Sequence, residues 1–216
     1  MTLGRLHLVT PADLTAESLH VVQAVLEAGA PLIQVRLKHR TDRQRFTVTQ
    51  AVRAICRPHD ATCIVNDRAD LALAVGAHGV HVGSDDLPTE TVRSMLGPAA
   101  VVGATARNPD DARQAELAGA SYVGAGPVYE TSTKEGLPSP IGPDGVEAIA
   151  SAVSIPVIAI SGVTPARVPE LLEAGAHGIA AVGAVFFSAD PSAAVANFLD
   201  ALGEPVPTRR PTRGPR

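Results

Sequence analysis

VIAISGVTPARVPELLEAGAHGIAAV, residues 157–182, contains one complete period of the fold. Val157–Ile160 is a short, continuous apolar run rich in β-branched residues, the pattern of a parallel strand covered on both faces. Thr164-Pro165 follows, an N-cap residue and then proline at the first helical position, where a missing N–H costs little. The helix-like segment Pro165–Ala174 closes on Ala174-Gly175-Ala176, glycine suiting the left-handed turn after a helix. Ile179–Val182 then begins the next apolar run.

The same period extends in both directions. Apolar runs recur at Leu6–Val9, Leu32–Val35, Cys63–Val65, Val80–Val82, Val101–Val102 and Tyr122–Val123. Helix-like segments lie between them: Ala16–Glu27, Asp42–Arg57, Pro109–Ala118, Asp144–Ala152 and Pro191–Leu202, with shorter ones at Arg68–Val75 and Thr89–Leu96. Thr41-Asp42 and Asn108-Pro109 supply further helix starts. Ala-Gly-Ala or Val-Gly-Ala recurs at Gly29, Gly76, Gly119 and Gly175, after every second helix, so the chain reads as a four-fold repeat of a βαβα unit. The expected fold is α/β: a single-domain (β/α)8 TIM barrel over residues 1–202, followed by a Pro/Arg-rich disordered tail over 203–216. An open doubly wound sheet would need a Gly-x-Gly-x-x-Gly turn after the first strand, and Val9-Thr10-Pro11-Ala12-Asp13 is not one.

Composition removes several function classes. With 216 residues, 45% hydrophobic and 19% charged, the chain is globular rather than disordered. Aromatics are 3%, with no Trp, which argues against base stacking, and a net charge of -4 argues against a broad phosphate-backbone footprint. Cys56 and Cys63 form neither a disulfide framework nor a zinc pattern, and are expected as free, partly buried thiols in a reducing compartment. No signal-peptide stretch and no apolar run of membrane-spanning length is present, so a cytoplasmic location is expected.

In a barrel of this kind, active groups sit at the carboxyl ends of the strands. After the second strand, strand periodicity puts Gln34, Arg36 and Lys38 on one inward face, where two cations suggest a bound polyanion. After the third comes Asn66-Asp67-Arg68-Ala69-Asp70, and after the fourth His81-Val82-Gly83-Ser84-Asp85-Asp86. Carboxylates on these neighbouring loops could share Mg²⁺ with phosphate oxygens, or Asp67 and Asp86 could simply cap the next helices. Thr105 offers a hydroxyl after the fifth strand, and His81 is read as structural. The longest loop, Gly124–Pro138, carries Thr131, Thr133 and Lys134, which could close over a phosphate. Ser161-Gly162 and Val182-Gly183, after the last two strands, form a second, amide-lined anion site.

These residues together resemble thiamine-phosphate synthase. The resemblance rests on Gln-x-Arg-x-Lys at 34–38, Val-Asn-Asp-Arg-Ala-Asp at 65–70, Gly-Val-His-Val-Gly at 79–83, Asp-Leu-Pro at 86–88, Gly-Pro-Val-Tyr at 126–129, Thr-x-Thr-Lys at 131–134 and Pro-Val-Ile-Ala-Ile-x-Gly-Val-Thr at 156–164, in order along the chain. It implies a transferase of thiamine biosynthesis that joins a pyrimidine methyl diphosphate to a thiazole ethyl phosphate with release of diphosphate. By resemblance, Gln34, Arg36, Lys38, Asn66 and Thr105 hold the pyrimidine diphosphate, and Asp67 and Asp86 bind the cofactor Mg²⁺. Thr131, Thr133, Gly162, Val182 and Gly183 hold the thiazole phosphate, and Lys134 reaches the diphosphate; Arg36, Lys38 and Lys134 are the expected catalytic cations. The implied partners are these two small molecules, with no nucleic acid or membrane; a homodimer is left open.

The chain departs from the family pattern at Leu37, Ser84, Thr105, Ser161 and Gly183, where an acidic residue, Gln, Ser, Gly and Ser are usual. Two rival readings are a thiazole tautomerase of the same fold and a non-catalytic phosphate-binding barrel. The tautomerase carries a histidine in the sixth-strand segment, where this chain has Gly126-Pro127-Val128.

Overall fold

The structure, a computed structural model, describes residues 3–131, 133 and 136–205. Eight parallel strands close into a barrel in sequence order: β1 (Leu6–Val9), β2 (Leu32–Val35), β3 (Thr62–Asn66), β4 (Gly79–Val82), β5 (Val101–Ala106), β6 (Tyr122–Ala125), β7 (Val157–Ile160) and β8 (Gly178–Ala181). Pairing of Leu6 with Ile179 and of His7 with Leu32 places β1 between β8 and β2 and closes the ring. The helices are α1 (Leu19–Glu27), α2 (Asp42–Cys56), α3 (Ala69–Val75), α4 (Thr89–Leu96), α5 (Pro109–Leu117), α6 (Gly142–Ala150), α7 (Val168–Glu173), α8 (Gly183–Phe186) and α9 (Pro191–Ala201).

Side-chain alternation along each strand divides the core in two. Outward residues such as Leu8, Ile33, Val65, Val80, Val102, Val123 and Ile179 pack against the helix faces carrying Val25, Val52, Val92, Ile149, Leu171 and Phe198. Inward residues Val9, Leu32, Ile64, Tyr122, Ile158 and Ala180 fill the barrel. Both faces are apolar, which is why the strands read as continuous apolar runs. The expected helix-closing glycines, Gly29, Gly76, Gly119 and Gly175, all have φ between 64° and 99°. Thr41 and Gln44 form a reciprocal capping box at α2.

Some boundaries differ from the sequence expectation. β5 runs to Ala106, so Gly103, Ala104 and Thr105 lie inside the strand, and His81 lies within β4 rather than in a turn after it. α1 starts at Leu19 instead of Ala16, because Ser18 and Thr15 hydrogen-bond to each other in a local turn. Pro165–Arg167 is a 3₁₀ turn ahead of α7, and α8 is an additional short helix after β8. Cys56 and Cys63 are fully buried, beyond the partial burial expected; the hydrogen bond with Cys56, and then burial, push the Cys63 thiol well above its usual value.

The expected tail over 203–216 divides at the edge of the described residues, since 206–216 lie outside them. Glu204 is part of the barrel's base: its N–H donates to the Leu199 carbonyl, and its carboxylate lies 3.4 Å from Arg5. Arg5 also donates to the carbonyls of His177 and Leu202, at 2.8 and 2.7 Å. Truncation after Pro205 is expected to leave the melting temperature unchanged. Truncation after Leu202 removes a half-exposed ion pair and two backbone bonds, from the Gly203 and Glu204 N–H groups, worth about 2 kcal/mol, or roughly 6 °C. Calorimetry of the two truncations checks this, and a loss of 10 °C from either would show that the tail packs on the barrel.

Candidate active site

At the carboxyl ends of the strands opens a cleft of about 820 Å³. Its walls include Gln34, Arg36, Lys38, Asn66, Asp67, Asp86, Thr105, Thr131, Thr133, Gly162, Val182 and Gly183. The two anion sites read separately from the sequence are therefore opposite sides of one cavity. Lys134 lies outside the described residues.

On the β2–β3 side the polar groups form a directional chain. Gln34 Nε2 donates to Asn66 Oδ1 at 2.5 Å, and Asn66 Nδ2 donates to Asp67 Oδ1. Lys38 Nζ donates to Asp67 Oδ2 at 2.5 Å. Thr10, fully buried and not singled out in the sequence, accepts from the Arg36 N–H at 2.9 Å and so fixes the backbone at Arg36. The Arg36 side chain lines the cleft, and among the described residues its guanidinium has no hydrogen-bond partner.

Asp67 and Asp86 do not cap helices. Neither α3 nor α4 has a side-chain cap, and Asp86 accepts instead from the Gly83 N–H at 2.8 Å. Asp67 is held at φ 68° while its N–H donates to the His81 carbonyl at 2.8 Å. Burial pushes the Asp67 carboxyl up, but the hydrogen bond from Lys38, the interaction with the neighbouring Asp86 carboxyl and the Lys38 charge outweigh it, holding the group below the usual carboxylate range. Burial raises Asp86, the Gly83 N–H opposes this, and the neighbouring Asp67 adds to the rise. Two carboxylates thus face each other beside a single lysine, an oxygen-rich arrangement suited to a hard divalent cation. Among the described residues no group of three His, Cys, Asp or Glu side chains gathers. A metal here would draw much of its coordination from substrate oxygens and water.

The opposite wall is built on backbone. Ser161 and Gly162 have φ of 81° and 67°, so the serine at the position where the family has glycine keeps the left-handed turn. Arg167 donates to the Gly162 carbonyl at 2.6 Å and stacks 4.1 Å over the Tyr129 ring, whose hydroxyl donates to Glu170. The N–H groups of Val128 and Tyr129 bond to the carbonyls of Ile160 and Ser161, tying the β6 loop to the β7 loop. A Cβ on Gly162 would lie 2.6 Å from the Glu130 carbonyl oxygen and 2.7 Å from Tyr129 Cβ. Gly162→Ala is therefore expected to cost roughly 2 kcal/mol in urea unfolding and to weaken anion binding at this wall. Unchanged stability would show that the loop yields without strain. Beside Gly183, the Thr133 hydroxyl oxygen lies 3.2 Å from where a Cβ would stand, so the cleft keeps a hydroxyl at this departure.

The cleft floor holds His81, which the sequence reading treated as structural, together with Tyr122 and His7, to which it gave no role. His81 Nδ1 is 3.0 Å from the Tyr122 hydroxyl and its Nε2 is 3.1 Å from Thr105 Oγ1. Burial pushes the His81 imidazole down to about 4 and raises the Tyr122 phenol. His7 is also buried here, with Nε2 3.0 Å from the Gly4 carbonyl. The available signal was the strand period, which puts His7, His81 and Tyr122 on inward faces.

The chain as a whole is similar to known proteins. Thiamine-phosphate synthase of Salinispora tropica is 53% identical over 204 residues, covering 93% of this chain and 98% of that protein. The structure of thiamine phosphate pyrophosphorylase from Pyrococcus furiosus superposes with a TM-score of 0.83 at 34% identity, covering 92% of this chain and 95% of that one. A 3-hexulose-6-phosphate synthase from Salmonella typhimurium, with TM-score 0.71 at 17% identity over 92% of this chain and 98% of that one, shares the fold alone. The family model for thiamine monophosphate synthase matches residues 6–185, from β1 to α8. The chain belongs to the thiamine monophosphate synthase family.

Proposed function

We infer that the protein is a thiamine-phosphate synthase, a transferase that joins 4-amino-2-methyl-5-(diphosphooxymethyl)pyrimidine to thiazole ethyl phosphate and releases diphosphate. One observation carries the reading beyond family membership: a cationic, carboxylate-bearing wall at β2–β4 and a backbone-built wall at β7–β8 face each other across one cleft. That arrangement suits two phosphorylated substrates. The tautomerase reading lacks its histidine in the β6 segment, and a passive phosphate binder gives no role to paired carboxylates.

On this reading Gln34, Asn66 and Thr105 hold the pyrimidine, and Arg36, Lys38 and Lys134 hold its diphosphate. Thr131, Thr133, Gly162, Val182 and Gly183 hold the thiazole phosphate through hydroxyls and backbone N–H groups. Asp67 and Asp86 would hold Mg²⁺, which when bound supplies positive charge to the diphosphate. The bond between the pyrimidine methylene and the diphosphate oxygen breaks with its electron pair leaving on oxygen. Charge accumulates there, and Arg36, Lys38 and Lys134 stabilise it. The electron-rich aminopyrimidine carries the resulting positive charge until the thiazole nitrogen donates its lone pair to the methylene carbon. The walls hold the two rings in reach of each other, so catalysis is mainly positioning and electrostatics. Among the described residues no helix is long and apolar enough to cross a membrane, and we place the reaction in the cytoplasm.

The direct test mixes both substrates with the protein and follows diphosphate release across a magnesium titration, with the product identified by mass. Thiamine phosphate formed only with magnesium is expected; a thiazole isomer, or no product, overturns the reading. Lys134→Ala is expected to lower kcat about 10²-fold while raising KM for the pyrimidine diphosphate less, because charge on the leaving group grows toward the transition state. A rise in KM alone would make Lys134 a binding residue only.

A further inference from the structure

The hydrogen bonds beneath the cleft can be satisfied in one direction only, and that direction fixes what Thr105 presents to substrate. Tyr122 is buried, its side chain packed with Val9, Leu32, Ile64, Ile158, Ala180 and, edge-on, His7, and among the described residues the hydrogen-bond partner of its hydroxyl is His81 Nδ1 at 3.0 Å. If Nδ1 carried a proton, the phenol oxygen would accept it and the phenol proton would be stranded in an apolar interior. A doubly protonated imidazole meets the same objection. The phenol therefore donates, Nδ1 accepts, and the single imidazole proton sits on Nε2. From there it is donated to Thr105 Oγ1 at 3.1 Å. Thr105 is exposed to the cleft, so its own proton is directed there.

The packing is shaped for this chain of bonds. A Cβ at Gly103 would lie 2.2 Å from Tyr122 Cζ and 2.5 Å from His81 Nδ1, so the absence of a side chain there admits both rings. The same accounting applies to Gln34, whose amide nitrogen donates to Asn66, leaving its carbonyl oxygen to accept. The floor thus offers one fixed donor and one fixed acceptor. An aminopyrimidine has the complementary pair, a ring-nitrogen lone pair and exocyclic N–H groups.

We propose that Tyr122 and His81 are positioning residues that orient the Thr105 hydroxyl as a hydrogen-bond donor to a ring nitrogen of the pyrimidine substrate. This rests on the placement of the pyrimidine in the preceding section, and its test separates the two. In the substrate-free protein, ¹⁵N NMR of the imidazoles should show His81 with Nδ1 unprotonated and Nε2 protonated. Tyr122→Phe removes the donor that fixes Nδ1 as an acceptor, so the imidazole is no longer held in one tautomer and the Thr105 hydroxyl loses its fixed direction. That variant should raise KM for the pyrimidine diphosphate about tenfold, with KM for the thiazole phosphate unchanged and the melting temperature lowered by only a few degrees. The double variant Thr105→Val with Tyr122→Phe should be no worse than Thr105→Val alone, because Tyr122 acts through that hydroxyl. An Nδ1-protonated His81 in the parent protein, or additive losses in the double variant, overturns the proposal. If the tautomer is as proposed but Thr105→Val leaves KM for the pyrimidine diphosphate unchanged, the proposal also falls, and the fault lies in the placement of the pyrimidine.

Discussion

Asp67→Ala is expected to lower kcat by about 10³-fold, equivalent to roughly 4 kcal/mol of transition-state stabilisation, while the barrel stays folded. Three interactions meet at this carboxylate: it accepts from Lys38 at 2.5 Å, accepts from Asn66, and faces Asp86. Its removal leaves the Lys38 ammonium without its partner and Asn66 without the acceptor that orients its amide. It also halves the carboxylate set available to a divalent cation. Little of this appears as stability, because the Lys38 and Asp67 side chains are 40% and 22% exposed and water screens them. A melting temperature within a few degrees of the parent is expected, alongside the loss of turnover. Asp67→Asn keeps an acceptor for Lys38 but not the charge, so it should fall between the two and need more magnesium for half-maximal rate. Turnover within tenfold of the parent at saturating magnesium would remove Asp67 from the reaction.

The barrel was legible because its cues are redundant. Val157–Ile160, Thr164-Pro165 and Gly175 specify strand, helix start and helix stop independently, and the same cues recur around the ring. The misreadings occur where tertiary context overrides local preference. Gly103-Ala104-Thr105 has low strand propensity, yet β5 continues through it because β4 and β6 pair with it on both sides, His81 with Gly103 and Gly103 with Tyr122. α8 spans only Gly183–Phe186, too short to carry a period.

The charged wall of the site was legible for a similar reason. Gln34, Arg36 and Lys38 alternate with apolar residues, and period two sends them to one side. Asp67 and Asp86 follow neighbouring strands, and the structure removes the helix-cap alternative, because neither caps. The floor was not legible. A histidine in an apolar strand is chemically uninformative until the partners across the barrel are known, and Tyr122 and Thr105 come from strands 41 and 24 residues away from His81. Thr10 and Arg167 were likewise hidden, because Thr10 acts on the backbone after β2 from the segment after β1, and Arg167 stacks on Tyr129 of the β6 loop.

Acid is expected to unfold this barrel through His7. The imidazole is fully buried, donates from Nε2 to the Gly4 carbonyl at 3.0 Å, and has no partner on Nδ1 among the described residues. Tyr122 meets its ring edge-on at 5.0 Å between centroids. Burial, and then the charges of His81 and His177, outweigh the Gly4 bond and lower the group from 6.5 to about 3. Between those values the unfolded chain binds a proton that the folded chain refuses. Stability is therefore complete above pH 6.5 and declines as pH falls toward 3, by about 1.4 kcal/mol per pH unit for this group. The loss reaches about 5 kcal/mol near pH 3, comparable to the whole stability of many domains. His81, lowered to about 4, adds a second contribution over a narrower window. His7→Phe preserves a ring against Tyr122 but removes the titration, so urea unfolding at about pH 7.5, 5.5 and 4.5 should show a shallower decline in the variant. Equal slopes in the two proteins would mean that His7 is not the buried neutral base described here, and that acid acts on the carboxylates instead.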